Sequence, residues 1–249
     1  MTSPDQNRPD LEDVRRRIDR VDRDLLDLIA ERLALSADVR RAKAGAKLWR
    51  PSREDSHVAD LVAAAHATGT PPALVSRVWA ELMSASISVQ GNTTLHVSLE
   101  GDARANLMLI RDRFGGSLPI RSYPTSSAAL AATYADPEGI CVLAAPGDHR
   151  HWWTALAPGG AMSELKIVAG LPRVPSSGWP RAVAIAAIDL DPQPGGRLLL
   201  ALPKPDATPG TPRGDSGAHR LVEVAVEDAA QSALDMGAAI GYLPPRILD

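Results

Sequence analysis

Apolar positions between residues 11 and 42 recur at alternating steps of three and four residues. They are Leu11, Val14, Ile18, Val21, Leu25, Leu28, Leu35, Val39 and Ala42, and the one gap, between Leu28 and Leu35, is a step of four plus a step of three with a polar residue between them. This is the heptad spacing of a helix that packs along another helix. Asp10 can serve as N-cap, and no glycine or proline interrupts the chain before Gly45. The pattern predicts one helix over 11–44, about 50 Å long, which we expect to pack along a second chain.

Two shorter helices follow the long one. Ser52 and Asp55 have the spacing of a capping box directly after Pro51, which predicts a helix start there. The sequence "ATGTPPA" at 67–73 ends this helix. A third helix is predicted from about residue 72 to residue 90, where "GN" ends it. The chain therefore has a predicted all-α domain of three helices over 11–91.

The pattern changes after residue 91. Short apolar runs bounded by turn residues predict strands in "TTLHVSLEG", "GICVLAAPG", "LKIVAGLP", "RAVAIAAIDL" and "GRLLLALP". Helices are predicted in "DARANLMLIRDRF" and "TSSAALAATYAD". Strands that alternate with helices are typical of an α/β domain, here over 92–249. We expect residues 1–10 to be a disordered tail and residues 202–217, rich in Pro, Gly and Asp, to be a flexible loop.

Composition excludes several classes of function. A net charge of −3 over 249 residues gives no overall attraction to nucleic acid or to a membrane surface. No apolar run has the length of a membrane span, and the first residues lack a signal-peptide core. We therefore expect a cytoplasmic protein without nucleic-acid or membrane partners. The single cysteine, Cys141, excludes an internal disulfide framework and is expected in the core.

One position of the heptad pattern holds Arg32 instead of an apolar residue. Lys43 follows eleven residues later, so the two side chains lie about 20° apart around the helix. No acidic residue lies beside them on this face, and a buried cation needs a counter-anion. A bound anionic ligand would supply it. The alternative is a solvated charge, as in the outer face formed by the alternating Arg and Asp residues of 15–24.

Other polar residues join this set. Arg15 lies about 100° from Arg32 around the same helix and reaches the same site more easily from a second chain. Ser86 and Gln90 are one turn apart on the third helix. Arg53 and Glu54 lie at the start of the second helix.

The residues stand in "LEDVRRRIDRVDRDLLDLIAERLALSADVRRAK", "RPSRE" and "SRVWAELMSASISVQ". In these segments, residues 11–90 resemble the all-α chorismate mutases, particularly the mutase domain of bifunctional chorismate mutase/prephenate dehydratases. The resemblance implies an intertwined homodimer that rearranges chorismate to prephenate in Phe and Tyr biosynthesis, without cofactor or metal. Arg50 is a departure, since many members of the family have an acidic residue there.

The resemblance also implies roles for these side chains. Arg32 and the second chain's Arg15 would bind the two carboxylates of the substrate, and Ser86 would contact one of them.

Lys43 and Gln90 would donate to the ether oxygen whose bond breaks, and Glu54 would accept from the ring hydroxyl with Arg53 beside it. Holding the flexible dianion in its reactive conformer and stabilising charge on the ether oxygen suit a reaction that moves no proton.

Residues 92–249 resemble a degenerate prephenate dehydratase domain. "WPRAVAIAAIDLDPQPGGRLLLALP" is similar to the strand pair with that family's Thr-Arg-Phe motif, but Pro180, Arg181 and Ala182 stand there. The hydroxyl and the aromatic ring are gone, so we expect no dehydratase activity. The alternatives are a non-enzymatic dimeric sensor module and a bifunctional mutase/dehydratase. "DHRHWW" at 148–153 has a two-histidine pattern of weak metal-binding character, and a helix start with tryptophan packing is the favoured interpretation.

Overall fold

A computed structural model of the chain describes residues 10–42, 49–174, 178–204, 210–229, 237–245 and 247. The chain divides into two units, residues 1–45 and residues 46–249. The predicted disordered tail lies outside the described residues, apart from Asp10 at its end.

The first unit contains one long helix, α1 Leu11–Ala42. Its start is capped as predicted, because the Glu12 backbone N–H donates to Asp10 Oδ1 at 3.2 Å. Residues 43 and 44 of the predicted helix lie outside the described residues. The apolar stripe of α1 is 42–60% exposed at Leu11, Ile18, Val21, Leu25, Leu28, Leu35 and Val39. A single chain therefore leaves most of this stripe in water.

The next two helices are α2 Pro51–His66 and α3 Pro72–Gln90, which confirms their predicted positions. They pack together through Val58, Val62, Val75 and Met83. The predicted capping box of α2 is wrong. Arg50 is the N-cap residue and no side chain caps the helix, because Asp55 is buried in an ion-pair network.

The chain after α3 forms a mixed α/β fold, as predicted. Its strands are β1 Leu95–Ser98, β2 Ile120–Ser122, β3 Ile140–Ala144, β4 Lys166–Leu171, β5 Ala182–Ala186, β6 Arg197–Pro203, β7 Thr211–Ser216, β8 His219–Ala225 and β9 Ala239–Leu243. The helices are α4 Ala103–Phe114 and α5 Ser126–Tyr134, with 3₁₀ turns at His151–Leu156 and Val226–Asp228.

The strands lie in the order β2-β1-β3-β5-β4-β9-β6-β8-β7. Pairs β1/β2, β1/β3 and β4/β9 are parallel, and the other neighbours are antiparallel. The last strand along the chain, β9, thus lies inside the sheet between β4 and β6.

Both faces of the sheet are covered along its central strands, such as β3 and β5. Along β3, alternate residues point to opposite faces. Cys141 and Leu143 join a core with α5 and Trp153, whereas Val142 joins a core with α4 and Ile87. Burial on both faces explains why these strands read as continuous apolar runs. The second unit also contains α2 and α3, so the two units divide at residue 45 and not at residue 91.

The predicted loop at 202–217 is wrong over most of its described part. Strand β6 continues to Pro203, and β7 occupies Thr211–Ser216 in antiparallel pairing with β8. Residues 205–209 of this prediction lie outside the described residues.

Two smaller predictions are confirmed. The "DHRHWW" stretch leads into the 3₁₀ helix His151–Leu156, in which Trp153 is fully buried. Cys141 is a core residue, and burial raises the pKa of its thiol to about 12. Of the helices that the structure describes, none has the length and apolar character that crossing a membrane requires.

Candidate functional site

Two of the α1 candidates are in the described part of the chain. The side chain of Arg15 is 62% exposed and forms an ion pair with Glu12, with 2.7 Å between Nη1 and Oε1. Arg32 is half-buried, and its backbone carbonyl accepts from Ser36 Oγ at 3.0 Å. Lys43 lies outside the described residues.

The α2 candidates differ in burial. Arg53 is exposed, whereas the Glu54 side chain is 17% exposed. Glu54 Oε2 accepts from Trp49 Nε1 at 3.2 Å and from Arg173 Nη2 at 3.4 Å. Burial raises the pKa of Glu54, against the opposing effect of the nearby positive charges of Arg113 and Arg173. Glu54 therefore holds a proton more tightly than a free glutamate and keeps an acceptor oxygen directed at fixed donors.

The α3 candidates share one helix face. Ser86 is buried and its Oγ donates to the Leu82 carbonyl at 2.8 Å, one turn back. Gln90 is half-buried at the last position of α3. The convergence of these side chains with the cations of α1 in one pocket stays a prediction.

A buried ion-pair network lies next to Glu54. The Asp55 carboxylate contacts Arg113 of α4 through Nη1, and it contacts Arg173 with 3.1 Å between Oδ1 and Nε. The side chains of Asp55, Arg113 and Arg173 are only 5%, 1% and 1% exposed. Burial, together with the positive charge of the neighbouring Arg113, lowers the pKa of Arg173 to about 10.

The sequence pattern gave a partial indication of this network. Asp55 precedes Val58 by three residues and Val62 by seven, so it lies on the apolar face of α2. An acidic residue in such a position predicts a buried partner. Its partners are remote in sequence, since Arg113 lies 58 residues away.

Two other polar groups tie the sheet region together. Glu223 of β8 accepts from Arg197 Nη1 at 2.5 Å and from Arg213 Nε at 2.6 Å. Buried His96 of β1 lies between the Tyr123 hydroxyl at 2.9 Å and Asp136 Oδ2 at 3.0 Å. We assign both groups to the fold, because each joins separate elements through paired polar atoms.

Comparison with known proteins shows a similarity that is confined to the helical part of the chain. Residues 14–91 match the family model Chorismate mutase type II. The matched segment contains every candidate residue from Arg15 to Gln90, and it covers the greater part of α1 and all of α2 and α3. The resemblance predicted from the sequence is thereby confirmed for this part of the chain.

The chain is also similar to a curated protein, over a stretch of comparable length. The T-protein of Enterobacter agglomerans is 38% identical over 81 residues, which are 32% of this chain and 22% of that protein. The chain thus spans about a fifth of the length of this relative. No solved structure matches the chain. The likeness of residues 92–249 to a dehydratase domain stays a prediction.

Proposed function

We propose that the chain is a chorismate mutase that rearranges chorismate to prephenate in aromatic amino-acid biosynthesis. The observation that carries this proposal is the family match over residues 14–91, which contains all seven candidate side chains. The observed bounds of α1, α2 and α3 agree with the three helices that the resemblance implies.

In the proposed site, arginines bind a dianion. Arg32 and Arg15 of a second copy hold the two carboxylates, and Ser86 contacts one of them. The exposed apolar stripe on α1 supports a homodimer, since packing against a second copy removes it from water. Arg15 of one chain would then complete the site of the other.

Catalysis in this site is conformational and electrostatic. The bound carboxylates hold chorismate in its compact reactive form, which lowers the entropic part of the barrier. Lys43 and Gln90 donate to the ether oxygen where negative charge grows. Glu54 accepts from the ring hydroxyl, with Arg53 beside it. Of the seven side chains, Arg32, Lys43, Glu54 and Gln90 are the proposed catalytic residues.

The test is to incubate the purified chain with chorismate and to identify the products by chromatography. We expect prephenate alone, and we expect Lys43→Ala to lower kcat by roughly a hundredfold or more. The matched control is Arg41→Ala, which removes an exposed cation of α1 that pairs with Asp38. Sedimentation shows whether each variant remains a dimer.

Other outcomes would contradict the proposal in distinct ways. Unchanged chorismate would favour a non-enzymatic sensor module. Phenylpyruvate among the products would show a bifunctional mutase/dehydratase, in spite of Pro180 and Ala182. Equal activity of Lys43→Ala and Arg41→Ala would exclude Lys43 from the site.

A further inference from the structure

A cavity of about 210 Å³ lies in the second unit, between the start of α2 and the segment that follows β5. The two segments bring opposite charges to it. Arg50 and Arg53 belong to the α2 segment, whereas Asp189 and Asp191 belong to the segment after β5. Half-buried Ile188 and Leu190 also line the cavity. One ligand can therefore meet cations, carboxylates and hydrocarbon there.

The opposite charges around the cavity do not pair with each other. Among the ion pairs of the described residues, none contains Arg50, Arg53, Asp189 or Asp191. Asp191 Oδ1 accepts from Gln193 Nε2 at 2.9 Å, but this amide donor is neutral and does not balance the carboxylate charge. A ligand that carries one charge of each sign can contact both groups at once.

A further cation, Lys166, lies near Asp189. Its Nζ donates to the Ala239 carbonyl at 3.2 Å. Burial lowers the pKa of Lys166, and the negative charge of Asp189 acts in the opposite direction. Because Lys166 offsets part of the charge of Asp189, Asp191 is the better contact for the cationic group of a ligand.

We propose that this cavity binds a free α-amino acid with an apolar side chain. The carboxylate of the amino acid contacts Arg50 and Arg53, because a planar guanidinium matches a carboxylate through paired N–H donors. The ammonium group contacts Asp191. The side chain lies against Ile188 and Leu190, which removes apolar surface of both partners from water.

The volume of the cavity agrees with a ligand of this size. A water needs about 10–15 Å³ by the same measure, so a cavity of about 210 Å³ holds roughly 14–21 water-sized groups. Leucine and phenylalanine each have fewer non-hydrogen atoms than that. Arg53 is also a candidate residue of the proposed mutase site, but binding of an amino acid does not require mutase activity.

The test is calorimetric titration of the full chain at constant ionic strength with leucine, phenylalanine, 4-methylpentanoate and 3-methylbutylamine. The last two keep the hydrocarbon part of leucine, but 4-methylpentanoate lacks its ammonium group and 3-methylbutylamine lacks its carboxylate. We expect leucine or phenylalanine to bind at least about tenfold more tightly than either analogue, since each analogue loses a charge-assisted hydrogen bond.

Two variants separate the two charged contacts. Asp191→Asn should weaken binding of the amino acid by at least about tenfold and leave binding of 4-methylpentanoate unchanged. Arg50→Gln should weaken binding of both. The matched control is Asp60→Asn, which changes an exposed acid of α2 and should leave both affinities unchanged. Asp191 and Arg50 are themselves exposed, so we expect both variants to fold.

Three results would overturn the proposal. Equal affinity for leucine and 4-methylpentanoate would show a site for anions alone. Equal affinity of Asp191→Asn and Asp60→Asn for the amino acid would exclude Asp191 from the site. No binding of leucine or phenylalanine would show that the charges around the cavity are balanced by water and salt.

Discussion

Replacing Asp55 with asparagine is the sharpest test of the buried network. Asp55→Asn keeps the shape of the side chain and one acceptor oxygen but removes the charge that Arg113 and Arg173 share. Both guanidinium groups are 99% buried and cannot regain that interaction from water. Breaking a buried ion pair by removing one partner costs about 3–5 kcal/mol.

The structure places the loss near the lower limit of that range. Glu54 remains within 3.4 Å of Arg173, so one of the two cations keeps an acidic neighbour. A loss of about 3 kcal/mol corresponds to a drop in unfolding temperature of roughly 6–12 °C for a unit of this size. The assay is thermal unfolding followed by circular dichroism at pH 7.

Asp60→Asn is the matched control, because Asp60 is an exposed acid on the same helix. Equal unfolding temperatures for the two variants would refute the assignment of Asp55 as the shared counter-ion. A second arm replaces both partners, with Asp55→Leu and Arg113→Met in one chain. We expect this pair to be more stable than Asp55→Leu alone, because the double change removes the uncompensated charge of Arg113.

Three further predictions concern other parts of the structure. Gly115→Ala should lower the free energy of unfolding, measured in urea, by at least about 1 kcal/mol more than Gly159→Ala. Both glycines have positive φ, but only at Gly115 would an added Cβ lie within 2.9 Å of α3 atoms. Equal losses of stability in the two variants would contradict this close approach. Because burial raises the pKa of Glu54, its carboxyl supports folding below the ordinary value of 4.5, and this contribution is lost as pH rises through the raised pKa. The unfolding temperature of Glu54→Gln should therefore rise relative to that of the unchanged chain as the pH goes from 4.5 to 7. A difference between the two that does not change with pH would contradict the raised pKa of Glu54. Cys141 should resist iodoacetamide at pH 8 in the folded chain and react after unfolding in urea, since its pKa is about 12; rapid labelling of the folded chain would show that the thiol is accessible.

The helical region could be predicted closely from the sequence. Its heptad steps, its prolines and the glycine after Gln90 are local features, and they set the ends of α2 and α3 within a residue or two. The five strands with apolar runs could also be predicted from the sequence. A strand that is buried on both faces needs apolar residues along its whole length, and this pattern is visible without knowing which strand pairs with it.

The edge of the sheet could not be predicted in this way. Strand β7 reads "TPRGDS" and contains proline and glycine, which are typical of loops. It forms a strand because its backbone pairs with β8 in antiparallel register. The residues of β7 alone do not indicate this pairing. Polar, short strands at a sheet edge are common, since they limit pairing with other molecules.

The network of Asp55, Arg113 and Arg173 could not be predicted either, because its residues are far apart in the sequence. Three separate elements supply Asp55, Arg113 and Arg173, and the sequence shows each only as one charged residue among many. Asp55 also fitted a capping box, a local explanation that competes with burial. For the proposed mutase site, by contrast, spacing and family resemblance identify the candidate residues without any coordinates.

The position of β9 has a consequence for the order of events during protein synthesis. Residues 95–186 supply five adjoining strands and residues 197–225 supply three, and β9 at Ala239–Leu243 is the strand that joins the two groups. Until the ribosome has released β9, β4 and β6 are open edges with buried-type side chains such as Ile167 and Leu199. Open apolar edges pair readily with other chains. During synthesis the chain therefore passes through a stage at which eight of the nine described strands have been made, but the groups at 95–186 and 197–225 are not yet joined. Binding of a chaperone to the exposed edges would matter most at that stage.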